Sequence, residues 1–528
     1  MQYLSELDKN QTLVINSGHP RGLIPSLQSS SRLIVSNGNM VPNYSTREHY
    51  DRYFALGVTM YGQMTAGSFC YIGPQGIVHG TTITILNAAR KYLKTSDLRG
   101  KVFVSSGLGG MSGAQPKASV ICGCISVIAE VSLEALNKRK NQGWLMEIIT
   151  DLDILVKRIQ NAKKNQRVVS IGYHGNIVNL WEKLAEEHKN SGELLVELGS
   201  DQTSCHCPFT GGYCPVDISY EESKKLLKSD PNLFKLKCQT SLVRQVNAIN
   251  YLAENGLHFW DYGNAFLLEA FRAGANLNPK KTAFGITFRY PSYVQHIMGD
   301  IFSLGFGPFR WICTSGKEKD LITTDQIALK IMKNLSKQAD ITEEVKKHYF
   351  DNIKWIENAY EHKLVVGSQA RILYSNHDGR IKMAVAFNEA IKEGLISAPI
   401  VISRDHHDVS GADSPYRETS NVYDGSSFTA DMAITTAIGN ATRGATWVAI
   451  HNGGGILHIY LYIYIFNKTF FNHSFKSVSS NYATGVGFGE AVNCGFGMVL
   501  DGSKEAQEKA INILFWDASE INFFIIYN

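Results

Sequence analysis

Between Lys101 and Leu198 the hydrophobic pattern alternates between strand-like and helix-like stretches, which restricts the chain to a small set of folds. Lys101–Ser106 (KVFVSS) reads as a buried strand, followed by a glycine-rich turn and a helix through Ala118–Cys122. Cys124–Ala129 (CISVIA) is the next strand. Leu152, Leu155, Val156 and Ile159 then fall at i, i+3, i+4 and i+7, one face of an amphipathic helix. Val168–Gly172 reads as a strand, Ile177–His188 as a helix and Leu194–Leu198 as another short strand. Strands separated by helices pair in parallel, so the expected class is α/β, with a doubly wound parallel sheet over about residues 83–290.

Outside that series the signals are weaker. Ser36–Gly80 is rich in Gly, Tyr and Met and reads as loops packed on something, with a helix over Gly80–Lys94. Thr314–Asp320 is a polar break within a mixed region. Helices resume between Thr324 and Tyr360, and Ala398–Ser403 (APIVIS) is a buried strand.

The residues that can carry chemistry follow predicted strands. Gly107-Leu108-Gly109-Gly110-Met111-Ser112-Gly113 leaves the first strand and opens a helix, where backbone amides can approach a pyrophosphate at the positive helix end. Glu130 ends the next strand, 23 residues after Gly107, where a carboxylate can bind ribose hydroxyls. Dinucleotide binding is the functional reading, and a structural glycine turn is the bland one. Asp201–His206 (DQTSCH) also follows a strand. Cys205, His206, Cys207 and Cys214 lack a second paired motif to complete a tetrahedral set, so this reads as a polar loop lining a cofactor cleft, with no metal. Arg404-Asp405-His406-His407-Asp408 offers imidazoles beside carboxylates for proton transfer, or else a salt-bridged loop. Arg371 could clamp a substrate carboxylate, although a lone Arg is more often a structural ion pair. His451–Gly455 is a further glycine loop. On these residues alone, an NAD-dependent dehydrogenase acting on a small acid is the first guess.

Composition excludes other classes. Lys+Arg 52 against Asp+Glu 48 leaves +4 over 528 residues, too dilute for a nucleic-acid partner. Ile456–Phe471 (ILHIYLYIYIFNKTFF) is apolar, but it is too short and too interrupted by polar residues to span a membrane. Nine irregularly spaced cysteines and an N-terminus without a secretory pattern suggest free thiols and a cytoplasmic location.

The longer strings resemble the urocanase family, eukaryotic type: Tyr71–Gly80 (YIGPQGIVHG), Gly107–Lys117 (GLGGMSGAQPK), DQTSCH, Asp261–Asn264 (DYGN), Phe288–Phe302 (FRYPSYVQHIMGDIF) and Arg404–Ser410 (RDHHDVS). The resemblance implies a Rossmann-like NAD-binding domain (83–290) inserted between the N-terminal part (1–82, truncated) and the C-terminal part (291–528) of a mixed α/β core domain. It also implies a homodimer and hydration of urocanate to 4-imidazolone-5-propanoate in histidine breakdown, with tightly bound NAD as an electrophile and not as a hydride acceptor. The cofactor-lining positions carried over are Gln75, Gly110, Met111, Ser112, Glu130, Asn176, Ile177, Gln202, Thr203, Ser204, Cys205, His206, Tyr213, Cys214 and Tyr262. Val409 stands where bacterial members carry a reactive cysteine, so Asp405, His406 and Asp408 become the candidates for proton transfer, and Arg371 and Arg404 for binding urocanate.

Three departures from the family pattern stand out. The family's upstream Tyr-Gly-Gly-Asn-Gly motif does not appear. Thirty residues, Ile456–Gly485, separate Gly455 from the Val486-Gly487-Phe488-Gly489-Glu490 string that continues the glycine loop in the family. The stretch 518–528 diverges. The insert and this tail resemble translated non-coding sequence, and a chain carrying them is expected to be inactive and poorly soluble; a catalytically dead relative is the alternative function.

Overall fold

The computed structural model describes residues 2–59, 72–205, 207–282, 285–404, 429–452 and 492–526. The chain divides into two compact units, one built on Gly80–Met298 and the other on Met1–His79 with the segments after Gly299.

The Gly80–Met298 unit is organised on a six-stranded sheet. Its strands are β4 (Val102–Ser106), β5 (Ile125–Glu130), β6 (Glu147–Ile149), β7 (Val169–His174), β8 (Leu198–Asp201) and β9 (His258–Asp261), in the spatial order β6-β7-β5-β4-β8-β9. Every pairing in it is parallel. All five residues of β4 are buried, as expected where helices cover both faces. The helix Leu152–Lys164 is capped by Asp151, whose carboxylate accepts the Ile154 amide, and it buries Leu155, Val156, Ile159 and Ala162. Burial of each large aliphatic side chain there contributes on the order of 1.5–3 kcal/mol. From β4 the chain crosses to β5 on one side, whereas β8 leads to β9 on the other. The carboxyl ends of β4 and β8 therefore flank the point where the sheet's connections reverse, the usual ligand crevice of such folds.

One strand differs from the sequence expectation. The apolar run starting at Leu194 is buried at Leu195 and Val196, but ladder pairing begins only at Leu198 and extends to Asp201. Glu197 immediately precedes the strand, accepting the Val102 amide at 2.9 Å and the Lys163 ammonium at 2.9 Å. Asp201 is thus a strand residue and not the start of a loop.

The other unit carries an eight-stranded mixed sheet. Its strands are β1 (Gln11–Asn16), β2 (His19–Pro25), β3 (Leu33–Asn37), β12 (Gly307–Cys313), β13 (Ala370–Ser375), β14 (Ile400–Arg404), β15 (Trp447–Asn452) and β16 (Val492–Leu500). They lie in the order β13-β12-β14-β16-β15-β3-β1-β2, so the two ends of the sequence share one sheet, joined where β3 pairs in parallel with β15. A small hairpin, β10 (Lys280–Thr282) with β11 (Gly285–Thr287), belongs to the Gly80–Met298 unit.

The stretch read as loops contains the end of β3 and a helix, Arg47–Ala55, capped by Thr46. The helix expected from Gly80 begins at Gln75. β14 ends at Arg404, one residue later than expected, because Arg404 still pairs with Phe309 of β12. Residues 518–526 of the divergent stretch continue the helix Lys504–Ile526. Asp405–Asp408, His206 and the expected insert 456–485 lie outside the described residues. Among the described residues, no helix is long and apolar enough to cross a membrane.

Candidate active site

The glycine loop after β4 is held on both sides. Gly107 has φ +85°, and a Cβ there would stand 2.9 Å from Ser112 Oγ and 3.1 Å from the Gln202 carbonyl, so only glycine fits. Glu130 Oε2 accepts the Leu108 amide at 2.7 Å. Arg139, 6% exposed, donates through Nε to the Leu108 carbonyl at 3.1 Å and through Nη2 to the Gly109 carbonyl. A Cβ on Gly113 would run into the Arg139 guanidinium at 2.1 Å. Between these anchors Gly110 faces open space and Met111 is half-exposed, leaving the backbone at the tip available beside the helix Gln115–Cys122. Sequence reading missed Arg139. It lies in the run Lys138-Arg139-Lys140, which resembles any solvated helix end.

Glu130 sits where a ribose acid is expected. Its second oxygen accepts the Ser132 amide at 2.9 Å. Burial raises its pKa above the ordinary carboxylate value, with the amides of Ser132, Leu108 and Val131 pulling the other way. Three amides occupy three of the about four lone-pair sites of the carboxylate, so one site remains for a hydroxyl.

The loop after β8 begins with Gln202, whose Nε2 is buried with no hydrogen-bond partner among the described residues. Thr203 turns back on Asp201, and Ser204 donates its amide to the Gly212 carbonyl at 3.1 Å. Cys205 is fully buried, and burial, reinforced by the Asp201 charge, pushes its thiol well above the usual range. It packs in the core with Tyr213 and Cys238 in the same cluster. Asn176 caps the helix Ile177–Ser191 with its oxygen on the Val178 amide, and its Nδ2 donates to the Cys214 carbonyl, both at 2.9 Å. Ile177 packs beneath it, and burial raises the Cys214 thiol. The Tyr213 hydroxyl donates to Gln245 Oε1 at 2.8 Å. Tyr262 donates to Thr81 Oγ1 at 2.9 Å, and its ring stacks on Tyr293 with centroids 4.4 Å apart. Beside the ends of β5 and β7 opens a cavity of about 600 Å³, lined by Leu133, His174, Asn176, Asp217 and Tyr220 among others.

The expected cofactor positions Gly110–Ser112, Glu130, Asn176, Ile177, Gln202–Cys205, Tyr213, Cys214 and Tyr262 thus all belong to the Gly80–Met298 unit. An open glycine tip and an orphaned amide donor at Gln202 fit a dinucleotide, while of the expected cofactor positions the cavity is lined by Asn176 alone. Among the described residues, no group of three or more His, Cys, Asp and Glu could hold a metal ion.

The other unit holds Gln75, Arg371 and Arg404. Arg371, 3% exposed, makes a bidentate pair with Asp325 at 2.9 and 2.5 Å, and its Nη1 reaches Gln75 Oε1 at 3.4 Å. Gln75 Nε2 donates to the Ala370 carbonyl at 2.8 Å. Arg404, expected at the substrate, is fully buried, and its Nε and Nη2 are engaged by Asp517.

Models of the urocanase domains match along the chain: the N-terminal domain at residues 1–70, the Rossmann-like domain at 73–297 and the C-terminal domain at 300–460 and 467–521. The last match is interrupted at 461–466, inside the segment read as an insert. The chain is 58% identical to the urocanate hydratase of Homo sapiens over 519 residues, covering 98% of this chain and 72% of the relative. It is equally similar to the urocanate hydratase of Mus musculus, and 58% identical over 517 residues to a probable urocanate hydratase of Caenorhabditis elegans, with the same coverage. The chain belongs to the urocanase family.

Proposed function

We propose that the chain adds water to urocanate, giving 4-imidazolone-5-propanoate, with NAD held at the carboxyl end of the six-stranded sheet. The observation that carries this reading is 58% identity to urocanate hydratases over 98% of the chain. Bound there, the oxidised nicotinamide supplies an electron-poor ring able to draw density from the imidazole of urocanate, which offsets the delocalisation lost on hydration.

The chain's own residues hold and orient. The amides of Gly110–Ser112 face the pyrophosphate, Glu130 accepts from a ribose hydroxyl, and Gln202 Nε2 donates to the cofactor. A carboxylate at the ribose, Glu130, disfavours a 2′-phosphate and so favours NAD over its phosphorylated form. In this reading Arg371 offers the urocanate carboxylate its Nη1, the nitrogen not held by Asp325. Arg404 anchors the base of the run Asp405–Asp408, whose carboxylates and His406 are the candidates for moving the proton. A homodimer and a cytoplasmic location come with the family expectation.

The test is a urocanate assay on the purified chain with NAD supplied, following urocanate and NADH together. Loss of urocanate without NADH is the expected result. NADH accumulating with substrate would instead indicate a conventional dehydrogenase, and unchanged urocanate a catalytically dead relative.

A further inference from the structure

Asp201 is 1% exposed at the carboxyl end of β8, and its two oxygens take five hydrogen bonds. Oδ2 accepts Ser106 Oγ at 2.7 Å and Gln245 Nε2 at 2.8 Å. Oδ1 accepts Asn264 Nδ2 at 2.8 Å, the Thr203 amide at 2.9 Å and Thr203 Oγ1 at 2.5 Å.

Each donor leads into a different part of the cofactor site. Ser106 immediately precedes the glycine loop, and its Oγ also receives the Gln202 amide at 3.3 Å. Thr203 lies in the loop after β8. Gln245, fully buried on the helix Pro231–Glu254, passes the link to the Tyr213 hydroxyl. Asn264 follows Tyr262 and also donates to the Thr203 carbonyl at 2.8 Å. Four segments separated in sequence are thus tied to one carboxylate.

We propose that Asp201 is a positioning residue that fixes the four loops of the dinucleotide site in a single arrangement, so that NAD affinity depends on a carboxylate buried beneath them. The inference rests on the NAD-dependent reading above. Its physical basis is polarity: only an anion with no hydrogen to donate can satisfy five converging donors. In Asp201→Asn an NH₂ group of nearly the same shape must face at least one group that can only donate, Gln245 Nε2 on one side or Asn264 Nδ2 and the Thr203 amide on the other. A buried donor left without an acceptor loses its hydrogen bonds to water and gains none in exchange. The loops can recover those bonds only by shifting apart.

The experiment measures the NAD dissociation constant by calorimetry, and NAD retained per chain after gel filtration, for four proteins. These are the wild type, Asp201→Asn, Gln245→Leu (which removes one donor from Asp201 and with it the Tyr213 link) and Leu242→Ala. The last removes packing from the same helix without touching the network, and thermal unfolding of the NAD-free proteins calibrates the general loss of stability. Asp201→Asn is expected to weaken NAD binding roughly 100-fold and Gln245→Leu roughly 10-fold, while Leu242→Ala at a comparable loss of Tm changes it by less than about threefold. Wild-type affinity in both Asp201→Asn and Gln245→Leu, or equal loss in Leu242→Ala, overturns the positioning role while leaving the NAD reading intact. A wild-type chain that takes up no NAD overturns both. Were Asp201→Asn not to fold, Gln245→Leu against Leu242→Ala decides alone.

Discussion

Arg404 Nε meets Asp517 Oδ2 at 2.6 Å with neither side chain exposed to solvent. The same carboxylate accepts Arg404 Nη2 at 2.9 Å and Asn440 Nδ2 at 3.0 Å, and Arg380 Nη1 lies 3.9 Å away. It ties the helix Lys504–Ile526 to the end of β14, the residue before the Asp405–Asp408 run. Removing one partner of such a pair leaves a buried charge uncompensated, which costs about 3–5 kcal/mol. Asp517→Ala should therefore lower stability by that order in urea unfolding. The double variant Arg404→Met with Asp517→Leu should recover part of the loss, because an apolar pair removes the desolvation cost on both sides.

A second prediction concerns the guanidinium that holds the glycine loop. Arg139→Lys keeps the charge but loses the fork that reaches two carbonyls, and Gly113→Ala puts a methyl group where that guanidinium stands. Both should weaken NAD binding, Gly113→Ala more strongly, while a change at exposed Lys140 should leave it unaltered. Fluorescence titration with NAD checks the ranking.

The parallel sheet was legible because β4, β5 and β7 are mainly apolar, β-branched runs between amphipathic helices, a pattern expected of buried parallel strands. The eight-stranded sheet was not, because β3 and β15, which pair with each other, lie more than 400 residues apart, and no local pattern reports such a partner. The glycine loop and Glu130 could be found from spacing. Arg139, Asp201 and Gln245 could not, because their importance lies in hydrogen bonds to backbone or to distant side chains. For Arg371 and Arg404 the sequence left a substrate clamp and a structural ion pair both open, and only the fold reveals the carboxylates of Asp325 and Asp517 against them.

If Asp405, His406 and Asp408 move the proton, their neutral replacements should separate catalysis from cofactor binding. Asp405→Asn, His406→Gln and Asp408→Asn are each expected to retain NAD at the wild-type level. At least one should lower kcat by roughly 10²–10⁴, the usual worth of a general acid or base. Steady-state rates normalised to bound NAD make the comparison, and loss of NAD in step with activity would assign the run to binding instead.

The last prediction turns on His79. Its ring is 1% exposed, packs 4.3 Å from the Trp355 ring and 5.2 Å from Tyr374, and its Nδ1 has no hydrogen-bond partner among the described residues. Burial alone drives its pKa from 6.5 down to about 3. Between those values the unfolded chain binds a proton that the folded chain refuses, so the unfolded state gains as pH falls. His79 leaves stability unaffected above pH 6.5 and lowers it progressively down to about pH 3, by about 1.4 kcal/mol per pH unit. His79→Phe keeps an aromatic ring against Trp355 and removes the titration. Its urea stability should fall less steeply than that of the wild type between pH 6.5 and 4.5, with the two curves running parallel above pH 7. Equal slopes across the acid range would mean that the imidazole gains a proton in the folded state, and that the packing around it opens to admit water.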